Sequence, residues 1–156
     1  MNFVGKIVNM TKLINSFKDE YEEFSNFYPV KIRYETRTYN SVEIAYVAAK
    51  TKNQRIRYEL SQLKANESGK AKKLGRQIKL RKDWDLMKNT IMRTLLRQKF
   101  SYPKLKEKLL ETGDAELVEG NFWHDNYWGD CLCPKCYNIP GKNYLGKMLM
   151  EIRSTL

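Results

Sequence analysis

The sequence predicts an α+β fold: a mainly helical single domain over residues 1–156, with a small antiparallel sheet. Three observations carry that expectation. Beyond residue 41 apolar residues recur at helical spacing, whereas before it they fall in short runs of strand character. A chain of 156 residues with 42% apolar content is enough for one hydrophobic core. No repeat, low-complexity tract or linker divides it.

Taken in order, Phe3–Asn9 and Lys12–Phe17 have the mixed apolar character of short strands. Val30–Tyr34 and Thr36–Tyr39 read as a hairpin around Glu35. Val42, Ala45, Tyr46 and Ala49 then follow the i, i+3, i+4, i+7 pattern of a helix, with Asn40 or Ser41 as its cap. Ile56, Leu60 and Leu63 mark a second helix, and Ser68–Ile78 a short basic one ending near Gly75. Trp84, Met87, Ile91 and Leu95 stripe a long helix from Asp83 to Lys99. Ser101 and Pro103 open the next helix and Gly113 closes it. Glu116–Glu119 suits a short strand, Asn121–Pro140 is irregular and aromatic, and Leu145, Met148, Leu149 and Ile152 stripe a final helix.

Charged residues make up 30% of the chain, and no run of about 18 apolar residues is present, which argues for a soluble protein that does not span a membrane. The first residues carry neither a continuous apolar run nor a small-residue cleavage site, so a cytoplasmic location is expected. The formal net charge of +11 attracts phosphate-bearing partners, although a solvated basic surface would show the same balance. The three cysteines all lie between Cys131 and Cys136, a pattern that fits a reducing compartment better than a disulfide scaffold.

Four constellations can carry chemistry. Glu43 either ties back to Asn40 in a capping box or, with Val47 and Lys50, occupies a helix face separate from the apolar stripe. In the second case Lys50 stands two turns away, roughly 10 Å along the axis, placing an acid and a cation at opposite ends of a cleft. Lys72, Arg76 and Arg81 precede Trp84; the two arginines suit a phosphate clamp, and Trp84 suits either base stacking or the core. Asn121–Asp130 holds four aromatic rings and two aspartates, which serve a site or an aromatic cap on the core equally well. Finally, C-x-C-x-x-C at Cys131–Cys136 with His124 matches no standard zinc spacing. Reduced thiols and no metal are expected; a zinc site using His124, or one shared by two chains, is the alternative.

These motifs, taken in order, resemble one family. F-S-N-F-Y-P (Phe24–Pro29), Y-x-S-V-E-x-A-Y-x-A-x-K (Tyr39–Lys50), A-K-x-x-G-R (Ala71–Arg76), R-x-D-W-D-x-x-K (Arg81–Lys88) and K-F (Lys99-Phe100) come first. L-L-x-T-G (Leu109–Gly113), L-V-E (Leu117–Glu119), D-x-x-W-G (Asp125–Gly129) and G-x-N-x-L-G-x-x-L-M-x-I-R (Gly141–Arg153) complete the series. The chain from Glu23 to Leu156 is similar to the NADAR, or YbiA-like, N-glycosidases.

The resemblance implies cleavage of a ribose C1′–nitrogen bond without a cofactor. The substrate it implies is ADP-ribosyl guanine, free or in nucleic acid, or a ribosylamino intermediate of the riboflavin pathway. It places the family's acid, tryptophan and second acid on Glu43, Trp84 and Asp125, and leaves Lys50 and Lys72 as candidates for a catalytic lysine. Asn26, Phe27, Tyr46, Trp128, Gly129 and Asn143, within the matched motifs, are the further residues expected at the substrate, beside Lys72, Arg76 and Arg81. Two departures stand out: Ile44 occupies a position where the family often has histidine, and the cysteine segment looks like an insertion found in some relatives. The rival from another class is a non-catalytic binder of ADP-ribose or nucleic acid. The sequence leaves the oligomeric state open.

Overall fold

The computed structural model describes residues 11–156, so the expected strand at Phe3–Asn9 lies outside the described residues. Its framework is six helices: α1 (Val42–Ala49), α2 (Gln54–Ser61), α3 (Ser68–Gly75), α4 (Trp84–Lys99), α5 (Pro103–Leu110) and α6 (Tyr144–Ser154). Sheet structure is sparse. β2 (Ile32–Tyr34) and β3 (Arg37–Tyr39) form the expected antiparallel hairpin, pairing Ile32 with Tyr39 across Glu35 at φ 50°. Two further two-residue pairs are parallel: β1 (Leu13–Ile14) with β4 (Glu116–Leu117), and β5 (Gly120–Asn121) with β6 (Asp130–Cys131). The α+β character is therefore as expected, while two of the three described strand pairs are parallel and one of them joins segments about a hundred residues apart.

α1 is the hub. Every residue of it except Glu43 is buried, so it is wrapped on all sides rather than amphipathic. It packs against α2, α3 and α4. Its N-cap is Ser41, whose Oγ accepts the Ile44 N–H at 3.2 Å. The capping-box reading of Asn40 and Glu43 fails for a simple reason of register. With the cap at Ser41, the third helical residue is Ile44, and the Asn40 amide instead donates to the Leu63 carbonyl at 2.7 Å.

α3 can lie close to α1 because Gly75 faces it. A β-carbon there would stand 3.2 Å from both Val47 methyl groups and 3.3 Å from Lys50 Nζ. Phe24, Ile32, Val47, Leu60, Met92, Leu96, Leu109 and Leu149 fill the core between helices and hairpin. Among the described residues no helix is long and apolar enough to cross a membrane.

Candidate active site

Beside α1 lies a cavity of about 400 Å³ that gathers Leu145 of α6 and residues from five other stretches of chain. The Phe24–Pro29 loop brings Ser25, Asn26 and Phe27. α1 brings Glu43, Tyr46 and Lys50, which are three and seven residues apart and so point the same way. Tyr46 thus takes the place expected for Val47, which is fully buried against Gly75. α3 contributes Lys72 and Arg76, one helical turn apart. Glu119, Trp123, Asp125 and Trp128 come from the segment after β4, and Lys18 from the segment after β1.

Three carboxyl groups share this space with four cations, and burial sets their proton affinities. The Glu43 carboxyl is raised above the usual range by desolvation, while Lys72 and Lys50 pull it back down. Glu119 is pushed up to about 7 by burial and by the neighbouring Asp125 charge. The Lys50 ammonium is lowered by burial, with Glu43 acting in the opposite sense. The Tyr46 phenol is held far above its ordinary range, chiefly by burial and next by Glu43, so it stays neutral.

Asp125 is fixed by its own loop. Its Oδ1 accepts the backbone N–H groups of Tyr127 at 3.1 Å and Trp128 at 2.9 Å, leaving Oδ2 for a ligand. Asp125 thus both bonds to its own loop and lines the cavity. Two polar atoms of the lining, Asn26 Oδ1 and Glu119 Oε2, are buried without a hydrogen-bond partner among the described residues. Buried polar atoms are rarely left so, and inside a cavity they are ready for donors on a substrate.

The aromatic walls are made by residues only partly foreseen. Trp128 meets Tyr46 edge-on at 5.5 Å, and Lys72 Nζ lies 5.5 Å from the Trp123 ring and 5.9 Å from Phe27. Trp84 does not reach the cavity. It is 6% exposed and packs behind Tyr46 at 5.0 Å, so its side chain supports the wall and is not placed to stack on a base.

Arg81 is also elsewhere. Its guanidinium forms a two-pronged pair with Asp83 at 2.6 and 3.0 Å and donates to the Tyr34 hydroxyl, while its backbone N–H caps the Lys50 carbonyl. The pair leaves Arg76, not Arg81, at the cavity.

Gly129 and Asn143 act from behind the wall. A β-carbon on Gly129 would stand 2.2 Å from the Glu119 carbonyl, so only glycine permits that approach. Asn143 donates to the Leu117 carbonyl at 2.9 Å and accepts the Glu119 N–H at 3.0 Å, which holds the strand end that presents Glu119.

Sequence reasoning passed over Glu119, although the L-V-E motif contains it. It passed over the role of Lys99 as well. That side chain is fully buried, donates to the Ser25 carbonyl at 2.7 Å, and so anchors the loop bearing Asn26 and Phe27. His124, Cys131, Cys133 and Cys136, expected as unconnected thiols and a distant ring, have ligand atoms within 4.8 Å of one another.

A helical α+β scaffold with an acid-lined, cation-rimmed cavity defines a small-molecule site of enzyme type. The NADAR domain profile matches residues 14–156, and the chain belongs to that family. N-glycosidase YbiA of Escherichia coli is 35% identical over 142 residues, covering 90% of this chain and 85% of that protein. An N-glycosidase of Nostoc punctiforme is 37% identical, covering 85% of this chain and 84% of its own. A riboflavin biosynthesis protein of Vibrio vulnificus is 34% identical, but the match spans 35% of its length. The solution structure of Escherichia coli YbiA superposes with a TM-score of 0.78 at 35% identity, over 94% of this chain and 86% of that one.

Proposed function

We propose that this NADAR protein is an N-glycosidase that hydrolyses the bond between ribose C1′ and a nitrogen, with ADP-ribosyl guanine as its leading substrate. One observation carries the reading: Glu43, Glu119 and Asp125 line the same cavity as Trp123, Trp128 and the cations Lys50, Lys72 and Arg76. Carboxylates stabilise the oxocarbenium character that develops at C1′, aromatic faces hold a flat base, and cations hold phosphate.

In this scheme ionised Glu43 accepts a proton from the attacking water. The water oxygen bonds to C1′ as the C1′–N bond breaks, and its electron pair leaves with the nitrogen. Glu119, pushed up to about 7 by burial and by Asp125, is the acid that protonates the departing base. Asp125 binds the ribose hydroxyls or shares the stabilising role. Lys72 and Arg76 take the phosphates. In the alternative step, the neutral Lys50 amine attacks C1′ as the C1′–N bond breaks and the base leaves with a proton from Glu119; the C1′–O4′ bond then opens, O4′ gaining a proton and the amine losing one, to give a Schiff base that water hydrolyses to ribose and free lysine.

The net charge of +11 favours a substrate carrying several phosphates, free or within nucleic acid. A second reading, a phosphorylated ribosylamino intermediate, is favoured by the relative named for riboflavin biosynthesis and by a cavity of about 400 Å³, which suits one sugar and one heterocycle. The deciding experiment offers ADP-ribosyl guanosine, ADP-ribosylated DNA, ribosylamino pyrimidine phosphate and NAD, and measures released base. Turnover of ADP-ribosyl guanine above the rest is expected. Turnover of the ribosylamino compound alone transfers the assignment to the second reading. Binding without release from any of them would make the protein a binder and sink the enzyme assignment. Borohydride trapping of an enzyme–sugar adduct, lost in Lys50→Ala, would replace direct water attack by the lysine route.

A further inference from the structure

Next to the cavity, the three thiols of the C-x-C-x-x-C segment converge on one ring. His124 Nδ1 lies 3.3 Å from Cys136 Sγ, 3.3 Å from Cys133 Sγ and 3.9 Å from Cys131 Sγ. A neutral imidazole nitrogen has one proton or one lone pair, so it satisfies one hydrogen bond in that direction, not three. A group at the centre of the four atoms satisfies all of them together.

The dimensions suit a metal. For tetrahedral zinc, with Zn–S about 2.3 Å and Zn–N about 2.0–2.1 Å, neighbouring sulfur and nitrogen ligands stand about 3.6 Å apart. The three observed separations straddle that value. None of the cysteines is in a disulfide, and all three are buried. They form a small cluster of their own, apart from the main hydrophobic core. Around them Leu132, Tyr137 and Ile139 are exposed, so this lobe buries little apolar surface to hold it together.

The outer contacts agree. Asn126 Nδ2 donates to Cys136 Sγ at 3.4 Å, and Asn126 Oδ1 accepts the Cys131 N–H at 2.9 Å, an arrangement that supports a thiolate and orients its loop. Cys133 to Cys136 form one tight turn, with Pro134 in its first position and the Cys136 N–H donating to the Cys133 carbonyl at 3.0 Å. His124 takes a left-handed φ of 67°, a region histidine enters more readily than most residues, and the turn brings its ring to the thiols.

We propose that Cys131, Cys133, Cys136 and His124 Nδ1 form a structural zinc site that braces the wall of the cavity. Trp123 and Asp125 flank His124 in the chain, and β6 ends in Cys131 while pairing with β5 beside Gly120. The metal therefore links both ends of the segment that presents Trp123, Asp125 and Trp128. The site stands independently of the substrate assignment.

The test is metal analysis of the full chain purified without added metal, joined to cobalt substitution and thermal melting. About one zinc per chain is expected, with the visible spectrum of tetrahedral cobalt bound by thiolates after exchange. Chelation should lower Tm by ~10 °C or more, reversed by added zinc. Cys133→Ser and His124→Ala should lose the metal, whereas His124→Cys, which restores a fourth soft ligand, should keep it and its melting temperature. Protein that holds no zinc, shows no thiolate–cobalt spectrum and melts alike with and without zinc overturns the proposal. So does full zinc content in both His124→Ala and Cys133→Ser, or iron in place of zinc in the wild-type chain.

Discussion

At the scale of single residues, Glu43 and Glu119 differ in how they can be tested. Glu43 makes no cap, so Glu43→Gln removes a buried charge at little structural cost. We expect turnover to fall by ~10²-fold or more, with Tm unchanged or slightly raised, measured as base release beside thermal melting. A rate near wild type would exclude it from the chemistry. Glu119 predicts a pH profile. Its folded value of about 7 lies above the ordinary 4.5, so the stability it lends is complete below 4.5 and is lost as pH rises through 7. The charges acting on it are Asp125, Lys72, Lys99 and Lys18.

Lys99 works in the adjoining window. Burial lowers it from 10.5 to about 7, against the pull of Glu119 and Glu23, so its contribution is complete above 10.5 and is lost as pH falls through 7. Urea midpoints should therefore decline between pH 4.5 and 7, and Glu119→Gln should flatten that decline. The same variant should abolish the fall in turnover expected as pH rises through 7, because the acid form is then unavailable to the leaving nitrogen.

At the scale of elements, α1 and α3 form the charged side of the site, and the close contact at Gly75 keeps them together. Lys72→Ala and Arg76→Ala should raise KM for phosphate-bearing substrates, with the defect shrinking as salt screens the lost contacts. Arg81→Ala should behave differently. It leaves Asp83 and the Tyr34 hydroxyl without their partner, so Tm should fall while the salt dependence of KM stays as in the wild type. Strand β4 and helix α6 meet through Asn143. Asn143→Ala strips a partner from the Leu117 carbonyl and the Glu119 N–H, at a cost of about 1–3 kcal/mol in urea denaturation, and should lower kcat by displacing Glu119.

At the scale of the whole molecule, the excess of positive charge is a statement about partners. If the physiological substrate is nucleic acid, kcat/KM on ADP-ribosylated DNA should fall steeply between low and physiological salt, while that on ADP-ribosyl guanosine changes little. Equal slopes for the two would mean that the basic surface outside the cavity plays no part in catalysis.

Local chemistry determined much of this protein before any folding was considered. Periodicity placed the helices, because a 3.6-residue repeat of apolar side chains has one good use, and the hairpin around Glu35 followed from chain composition alone. The motif series pointed to the family, and with it to Glu43, Asp125, Lys50, Lys72 and Arg76, all of which share the cavity. Tertiary structure decided the rest. Whether Trp84 or Trp128 faces a ligand depends on which side of Tyr46 each ring packs, a matter of contacts between α1, α4 and a distant loop. Arg81 lies away from the cavity because Asp83, two residues on, holds its guanidinium in a two-pronged pair. Glu119 became an acid of about 7 only when burial and the Asp125 charge closed around it, for burial and distant charge have no signature in spacing. The His124 ring reached the three thiols by the same route: residues 7 to 12 apart along the chain converge through a left-handed turn and a parallel strand pair.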